Sequence, residues 1–145
     1  MSNFSQILPQ LTIKGMTIRI PIIQGGMGVG VSLHPLASAV AEEGGVGIIS
    51  SACLDRLVSK RHNKKIDSYQ AAYEEVSLAK ARGGFAGINI MCALAKDYEA
   101  SVRGALDANA DAIISGAGLP MGLPGIQAPK DTALIPIVSS SRALE

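Results

Sequence analysis

Leu36-Ala37-Ser38-Ala39-Val40-Ala41-Glu42-Glu43-Gly44-Gly45-Val46-Gly47-Ile48-Ile49-Ser50-Ser51 holds the fold in miniature. Leu36, Ala37, Val40 and Ala41 recur at three- and four-residue steps, so they share one face of a helix. Pro35, just before them, fits a first helical turn, where its missing N–H costs nothing. Gly44-Gly45 stops the helix. Val46 to Ser51 is then a continuous apolar run of strand length. A strand that is apolar without alternation is covered on both faces, which is the habit of parallel sheets.

Outward from this unit the pattern repeats. Upstream, Pro21-Ile22-Ile23-Gln24 reads as a first strand that leaves through Gly25-Gly26-Met27-Gly28-Val29-Gly30. Before it, Leu11-Thr12-Ile13 and Met16-Thr17-Ile18-Arg19-Ile20 alternate around Lys14-Gly15, which predicts a short N-terminal β-hairpin. Downstream, Asp67 or Ser68 caps a helix whose face carries Tyr69, Ala72, Val76 and Ala79. Gly83-Gly84 ends that helix, and Phe85 to Met91 follows as a third strand. Tyr98, Val102 and Ala105 or Leu106 mark another helical face, and Asp111 to Gly118 a fourth strand with its exit. The Pro- and Gly-rich stretch from Leu119 to Pro129 has room for a short helical turn at most. Ala133 to Val138 is a fifth strand despite Pro136, and Ser139 to Glu145 opens a further helix.

Strand and helix alternating at this rhythm specify a parallel α/β fold. Both an open doubly wound sheet and part of a barrel satisfy the pattern. One segment is strongly charged, with Arg56, Lys60, Arg61, His62, Lys64 and Lys65 between the second strand and the second helix. No aromatic interleaves these charges, so a solvated loop is expected there rather than a nucleic-acid surface.

The composition of the 145 residues narrows the class: 48% are hydrophobic but only 3% aromatic, with no tryptophan. One domain with an aliphatic core follows. A net charge of +1 argues against a generally basic nucleic-acid binder and against an acidic disordered chain. Cys53 and Cys92 form neither a disulfide framework nor a paired metal-ligand spacing, which suits a reducing compartment. No apolar stretch approaches the ~20 residues of a bilayer crossing, and Met1 to Ser5 lacks the charged start of a signal peptide. The expectation is a soluble cytoplasmic protein without metal.

The glycine cluster Gly25 to Gly30 leaves the carboxyl end of a parallel strand, the edge at which both layouts of parallel α/β protein bind ligands. Glycine there lets backbone approach a flat or phosphorylated ligand closely. The dinucleotide fingerprint fails, because Leu33 stands where its third glycine belongs and Ser50-Ser51-Ala52-Cys53 offers no acid for a ribose. A ligand loop and simple tight-turn glycines both remain open. Asn89 is the second candidate, a polar amide within Ile88-Asn89-Ile90-Met91. Burying an amide costs ~1–3 kcal/mol unless it is paired, so either a backbone partner on a neighbouring strand or a bound heterocycle satisfies it. Ser115-Gly116-Ala117-Gly118 repeats the small-residue exit at the fourth strand. His34 belongs to a helix start, His62 to the basic stretch, Cys92 to the core or a loop, and Asp111 to the structural end of its strand. No residue here is assigned a catalytic role.

Taken in order, Pro21 to Met27, Leu36 to Val40, Gly44 to Ile49, Gly87-Ile88-Asn89-Ile90-Met91, Ser115 to Gly118 and Ile135-Pro136-Ile137-Val138-Ser139-Ser140 resemble the nitronate monooxygenase family. That family was formerly called the 2-nitropropane dioxygenases, and it includes FMN-dependent enoyl-acyl-carrier-protein reductases. The resemblance runs from about Ile20 onward. It implies a TIM barrel with FMN at the carboxyl face of its strands. Carried over by position, it implies that Gly25, Gly26 and Met27 lie against the flavin, that Asn89 hydrogen-bonds it, and that Gly116 leaves room beside it. The implied activity is FMN-dependent oxidation of alkyl nitronates by O2, or alternatively NADH-linked reduction of enoyl thioesters. A barrel of this type takes about 250 residues and eight strands, against the five read here. The family's catalytic histidine, in a glycine-flanked motif after a later strand, has no counterpart. The expectation is therefore the N-terminal portion of such a protein, with a lead and hairpin over residues 1–20 and a partial barrel over 21–145. Alone it is expected to be inactive and self-associating, a non-catalytic fragment being the other alternative.

Overall fold

In the computed structural model, residues 8–93, 95–119 and 121–140 are described. The hairpin forms as its sequence requires: β1 (Leu11–Ile13) pairs antiparallel with β2 (Met16–Ile18), placing Leu11 opposite Ile18 and Ile13 opposite Met16. Lys14 and Gly15 both take positive φ, 48° and 82°, which matches the twist of a two-residue hairpin turn.

Behind it stands a four-stranded parallel sheet in the order β3 (Val46–Ser50), β4 (Phe85–Met91), β5 (Ala112–Gly116), β6 (Ala133–Pro136). The helices are α1 (His34–Glu42), α2 (Leu54–His62), α3 (Ser68–Lys80) and α4 (Ala95–Asp107). Side chains alternate across the sheet and so create two different cores. Ile49, Ala86, Ile88, Ile90 and Ile113 face outward and pack with Ala37, Val58, Val76 and Val102 of the four helices. Val46, Ile48, Ala112 and Ala133 face the other way and pack with Met16 and Ile18 of the hairpin. Every described helix therefore covers one face, and the hairpin covers the other. A doubly wound sheet carries helices on both faces; this one does not.

The contact between α1 and β3 explains one of the glycines in the opening motif. A Cβ on Gly47 would fall 1.8 Å from the carbonyl oxygen of Ala37. The helix lies so close to the strand that only glycine fits.

Three sequence expectations need correction. The run Pro21 to Gln24, expected as the first strand, is not a full strand; it touches the sheet through one bridge, Ile23 to Val46. Two backbone bonds form, Val46 N to Ile22 O at 2.9 Å and Gln24 N to Val46 O at 3.0 Å. The next ladder bond is replaced: Ile48 N donates at 3.0 Å to the side-chain Oε1 of Gln24, while the backbone turns off through Gly25-Gly26. The charged segment is not a solvated loop. Residues 54–62 form α2, with Leu54 and Val58 buried one turn apart beneath the charges. Asp55 in its first turn and Lys60, Arg61 and His62 in its last complement the helix dipole. The fifth expected strand ends at Pro136, two residues early, although Ile137 N still reaches Ser115 O at 2.8 Å. The helix expected from Ser139 falls mostly on residues 141–145, outside the described residues. The Pro- and Gly-rich stretch holds a single 3-10 turn, Leu123–Gly125.

Candidate functional site

At the carboxyl edge of the sheet the glycine loop, residues 25–33, folds back onto the ends of β3 and β4. Its anchor is a pair of side chains. Gln24 reaches Ser32 Oγ with its Nε2 at 3.1 Å and also donates to the Gly25 carbonyl. Ser32, almost wholly buried, accepts from Met27 N at 3.1 Å and donates to Gly25 O at 3.2 Å. Ser50 N then takes the Ser32 carbonyl at 2.8 Å, which fastens the returning loop to the end of β3.

Asn89 sits on the inner face of β4 in register with Ser50. Its Nδ2 donates to Gly26 O at 3.0 Å and passes 3.9 Å from the Met27 sulfur. The partner is a loop carbonyl, not a neighbouring strand of the sheet. Gly26 is buried, and a Cβ there would lie 2.5 Å from Ile49 O and 2.6 Å from Ile48 Cγ2. Gly26 thus serves close packing of loop on sheet. Gly25 differs: a Cβ would meet nothing nearer than Met27 Cγ at 3.6 Å, so its outer side is open. Met27 is 66% exposed, and Val29 and Val31 are exposed beside it.

Gly116 ends β5 on the same edge. The space beside it is taken by Ile137, whose Cδ1 would lie 2.9 Å from a Cβ placed there. Gly25, Gly26, Met27 and Asn89 therefore form one group joined by the Asn89–Gly26 bond. Gly116 stands at the edge with its neighbouring volume filled by an isoleucine side chain.

A cavity of about 310 Å³ opens beside Val29 between the exits of β3 and β4, with Ser51, Cys53, Asp55, Arg56 and Met91 on its walls. A larger one, about 830 Å³, lies between α4 and residues 119 and 121–127, lined by Tyr98, Arg103, Leu106, Met121 and Ile126. Among the titratable groups, burial pushes the Cys92 thiol up. Burial also raises Tyr98, partly offset by its hydrogen bond with Ser115, 2.8 Å between oxygens.

Neither histidine joins the edge cluster. His34 opens α1 as expected, and its ring Nδ1 lies 3.1 Å from both carboxylate oxygens of Glu75. His62 pairs with Glu74 at 2.8 Å. Asp111 is structural, as its position suggested: its carboxylate accepts from Ala86 N at 2.8 Å and from Lys80 at the amino end of the strands. Among the described residues, no group of three or more His, Cys, Asp or Glu could hold a metal ion, and no helix is long and apolar enough to cross a membrane.

A family model described as nitronate monooxygenase matches residues 10–145. This chain belongs to the nitronate monooxygenase family. The family supports an oxidoreductase lineage. No curated protein matches in sequence. Among solved structures, a mutant form of FabK from Thermotoga maritima superposes with a TM-score of 0.63 at 23% identity, over 85% of this chain and 37% of that one. A second FabK structure from the same organism gives 0.61, again at 23% identity, over 85% and 35%. An IMP dehydrogenase/GMP reductase-like protein from Corynebacterium glutamicum gives 0.59 at 11% identity, over 89% and 42%. At these identities the likeness is one of fold. The chain spans little more than a third of the FabK chain.

Three residues went unread in the sequence: Gln24 and Ser32, which anchor the loop, and Glu75, which pairs with His34 behind it. Gln24 did carry a signal, a polar residue closing an apolar run before glycines. Glu75 carried a stronger one, because it falls on the face of α3 that Ala72, Val76 and Ala79 bury. An acid there must have partners. Ser32 had none that sequence could show.

Proposed function

We propose that this chain carries the cofactor-facing edge of an FMN-dependent oxidoreductase built as a (β/α) barrel, acting on alkyl nitronates with O2. The observation that carries the reading is the junction at the carboxyl edge, where the inner-face amide of β4 holds the glycine loop at Gly26. Helices confined to one face of a parallel sheet support the barrel, since a barrel wears its helices outside only.

The residues present fit a flavin. Gly25 offers open backbone, and Met27 and Val29 offer an apolar surface of the kind a flat ring covers. Asn89 uses Nδ2 on Gly26, and no described protein donor takes its Oδ1, which leaves an acceptor for a ring N–H. Gly116 fits if the Ile137 side chain swings away, and the nearest obstructing atom is the far end of that flexible chain. When bound, FMN supplies the electron transfer between nitronate and oxygen. This chain's own part is to bind and orient: the loop presents backbone and apolar surface, and Asn89 fixes one edge. His34 and His62 are both paired with carboxylates, so no proton-transfer group is assigned.

The visible spectrum of the purified chain, before and after adding FMN and desalting, tests the reading. A retained flavin band followed by nitronate-dependent oxygen uptake supports it. A band with NADH-dependent enoyl thioester reduction instead would change the substrate class. A chain that stays colourless overturns flavin binding and makes it a non-catalytic member of the family. Size exclusion with light scattering tests the accompanying proposal of a homo-oligomer; a clean monomer overturns that.

A further inference from the structure

Glu75 is the most deeply buried charged side chain described, with no exposed surface, and nothing in the flavin reading uses it. Its carboxylate takes the backbone N–H of His34 at 2.8 Å and faces His34 Nδ1 at 3.1 Å. Arg61 of α2 bonds it from the other side. Burial works against the charge of Arg61, yet the bonds and charges of Glu75 and Glu74 together hold its pKa above the ordinary guanidinium value. A carboxylate with no solvent must be matched by donors, and here two of its donors belong to one residue. That residue, His34, stands immediately after the glycine loop. The loop is thus held at both ends: by Gln24 and Asn89 where it leaves the sheet, and by Ser32 and His34 where it returns. Between them Met27 to Val31 project into solvent.

We propose that Glu75 is a positioning residue for this loop, acting through His34 to set where the exposed Met27–Val31 tip sits over the carboxyl edge. The effect on flavin affinity rests on the flavin reading; the effect on the loop does not. Glu74, next along α3, is the natural control. It pairs with Arg61 at 3.0 Å and with His62 at 2.8 Å but touches no loop residue.

Amide hydrogen exchange on the FMN-free chain separates the possibilities. In Glu75→Gln the amides of Met27, Ser32 and Ser50, all bonded within or to the loop, should exchange about tenfold faster, as expected when a buried acceptor is weakened. Amides at the centre of β4 should stay as they are. Glu74→Gln should leave the loop amides unchanged. His34→Gln keeps the Glu75–Arg61 pair and should reproduce the loop effect in smaller measure, so the proposal stands testable even if Glu75→Gln does not fold. Equal loop protection in Glu75→Gln and the native chain overturns the proposal, as does faster exchange spread evenly over loop and β4. FMN titration then divides the two claims. A weaker dissociation constant in Glu75→Gln, unmatched in Glu74→Gln, supports both. A native chain that binds no FMN while Glu75→Gln still loosens the loop overturns the flavin reading and leaves the positioning role intact.

Discussion

The amide of Asn89 and the carbonyl of Gly26 meet at 3.0 Å, and this one bond ties the inner face of the sheet to the glycine loop across 63 positions of sequence. Removing the amide in Asn89→Ala leaves a buried carbonyl without its donor. The expected cost is ~1–3 kcal/mol. Urea denaturation should show it as a lower midpoint with unchanged slope; under the flavin proposal, FMN binding should weaken further than the midpoint alone explains.

Gly25 and Gly26 are neighbours with opposite demands. In Gly26→Ala the new methyl meets the Ile49 carbonyl and the Ile48 side chain, and backbone cannot step aside cheaply. A loss of ~1–3 kcal/mol is expected, as for other overpacked sites. Gly25→Ala meets open space, so thermal stability should stay within about 0.5 kcal/mol. If a flat ligand covers that space, Gly25→Ala should nevertheless weaken FMN binding. Equal thermal losses in the two variants would contradict this.

Tyr98 provides a test of the outer core by pH. Burial raises its phenol above the usual tyrosine range. Unfolded tyrosine loses its proton near pH 10, and the folded side chain holds on longer. The native contribution is therefore complete below about pH 10 and declines as pH rises through the folded value. Tyr98→Phe strips Ser115 Oγ of the partner it has at 2.8 Å, at a cost of about 1 kcal/mol near neutrality. The gap between native chain and variant should narrow in denaturation curves taken from pH 8 to 11. A gap independent of pH would refute the assignment.

The two thiols should separate in alkylation. Cys53 is exposed, whereas burial raises Cys92 and withholds its thiolate. Iodoacetamide at mildly alkaline pH should mark Cys53 first and Cys92, half-buried and short of thiolate, more slowly; peptide mass spectrometry reads the order. Equal labelling rates at the two thiols would contradict this.

The frame was legible wherever period and punctuation agreed. Pro35 before Leu36, and Asp67 before Ser68, marked helix starts because their physics is local: a missing N–H in one case, a side-chain acceptor for Gln70 N in the other. The hairpin was legible for the same reason. Helix α2 was hidden because its apolar stripe is only Leu54, Leu57 and Val58, outnumbered by charges that face solvent. The first strand was over-read because apolar character says nothing about pairing. Whether Ile22 and Ile23 form a ladder depends on Gln24 supplying a side-chain oxygen to Ile48 N, a choice made 24 positions away. At the carboxyl edge, sequence singled out Asn89 and the glycines but not the bond between Asn89 and Gly26. It could not distinguish Gly26, which packs, from Gly25, which is open, since both are the same letter in the same turn.

The hairpin's place against the inner face bears on the order in which the molecule can assemble. Met16 and Ile18 share a packed cluster with Val46 and Ile48 and also with Ala112 and Ala133, so part of their resting place is made from chain that follows about a hundred residues later. β1 and β2 can pair early, because their turn is local. Their docking surface is complete only once the sheet spanning β3 to β6 exists. Contacts of such long sequence separation slow folding, because the intervening chain must be ordered before they repay it. Until then Met16 and Ile18 stay partly uncovered, so a segment near the start of the sequence is among the last to be fully enclosed.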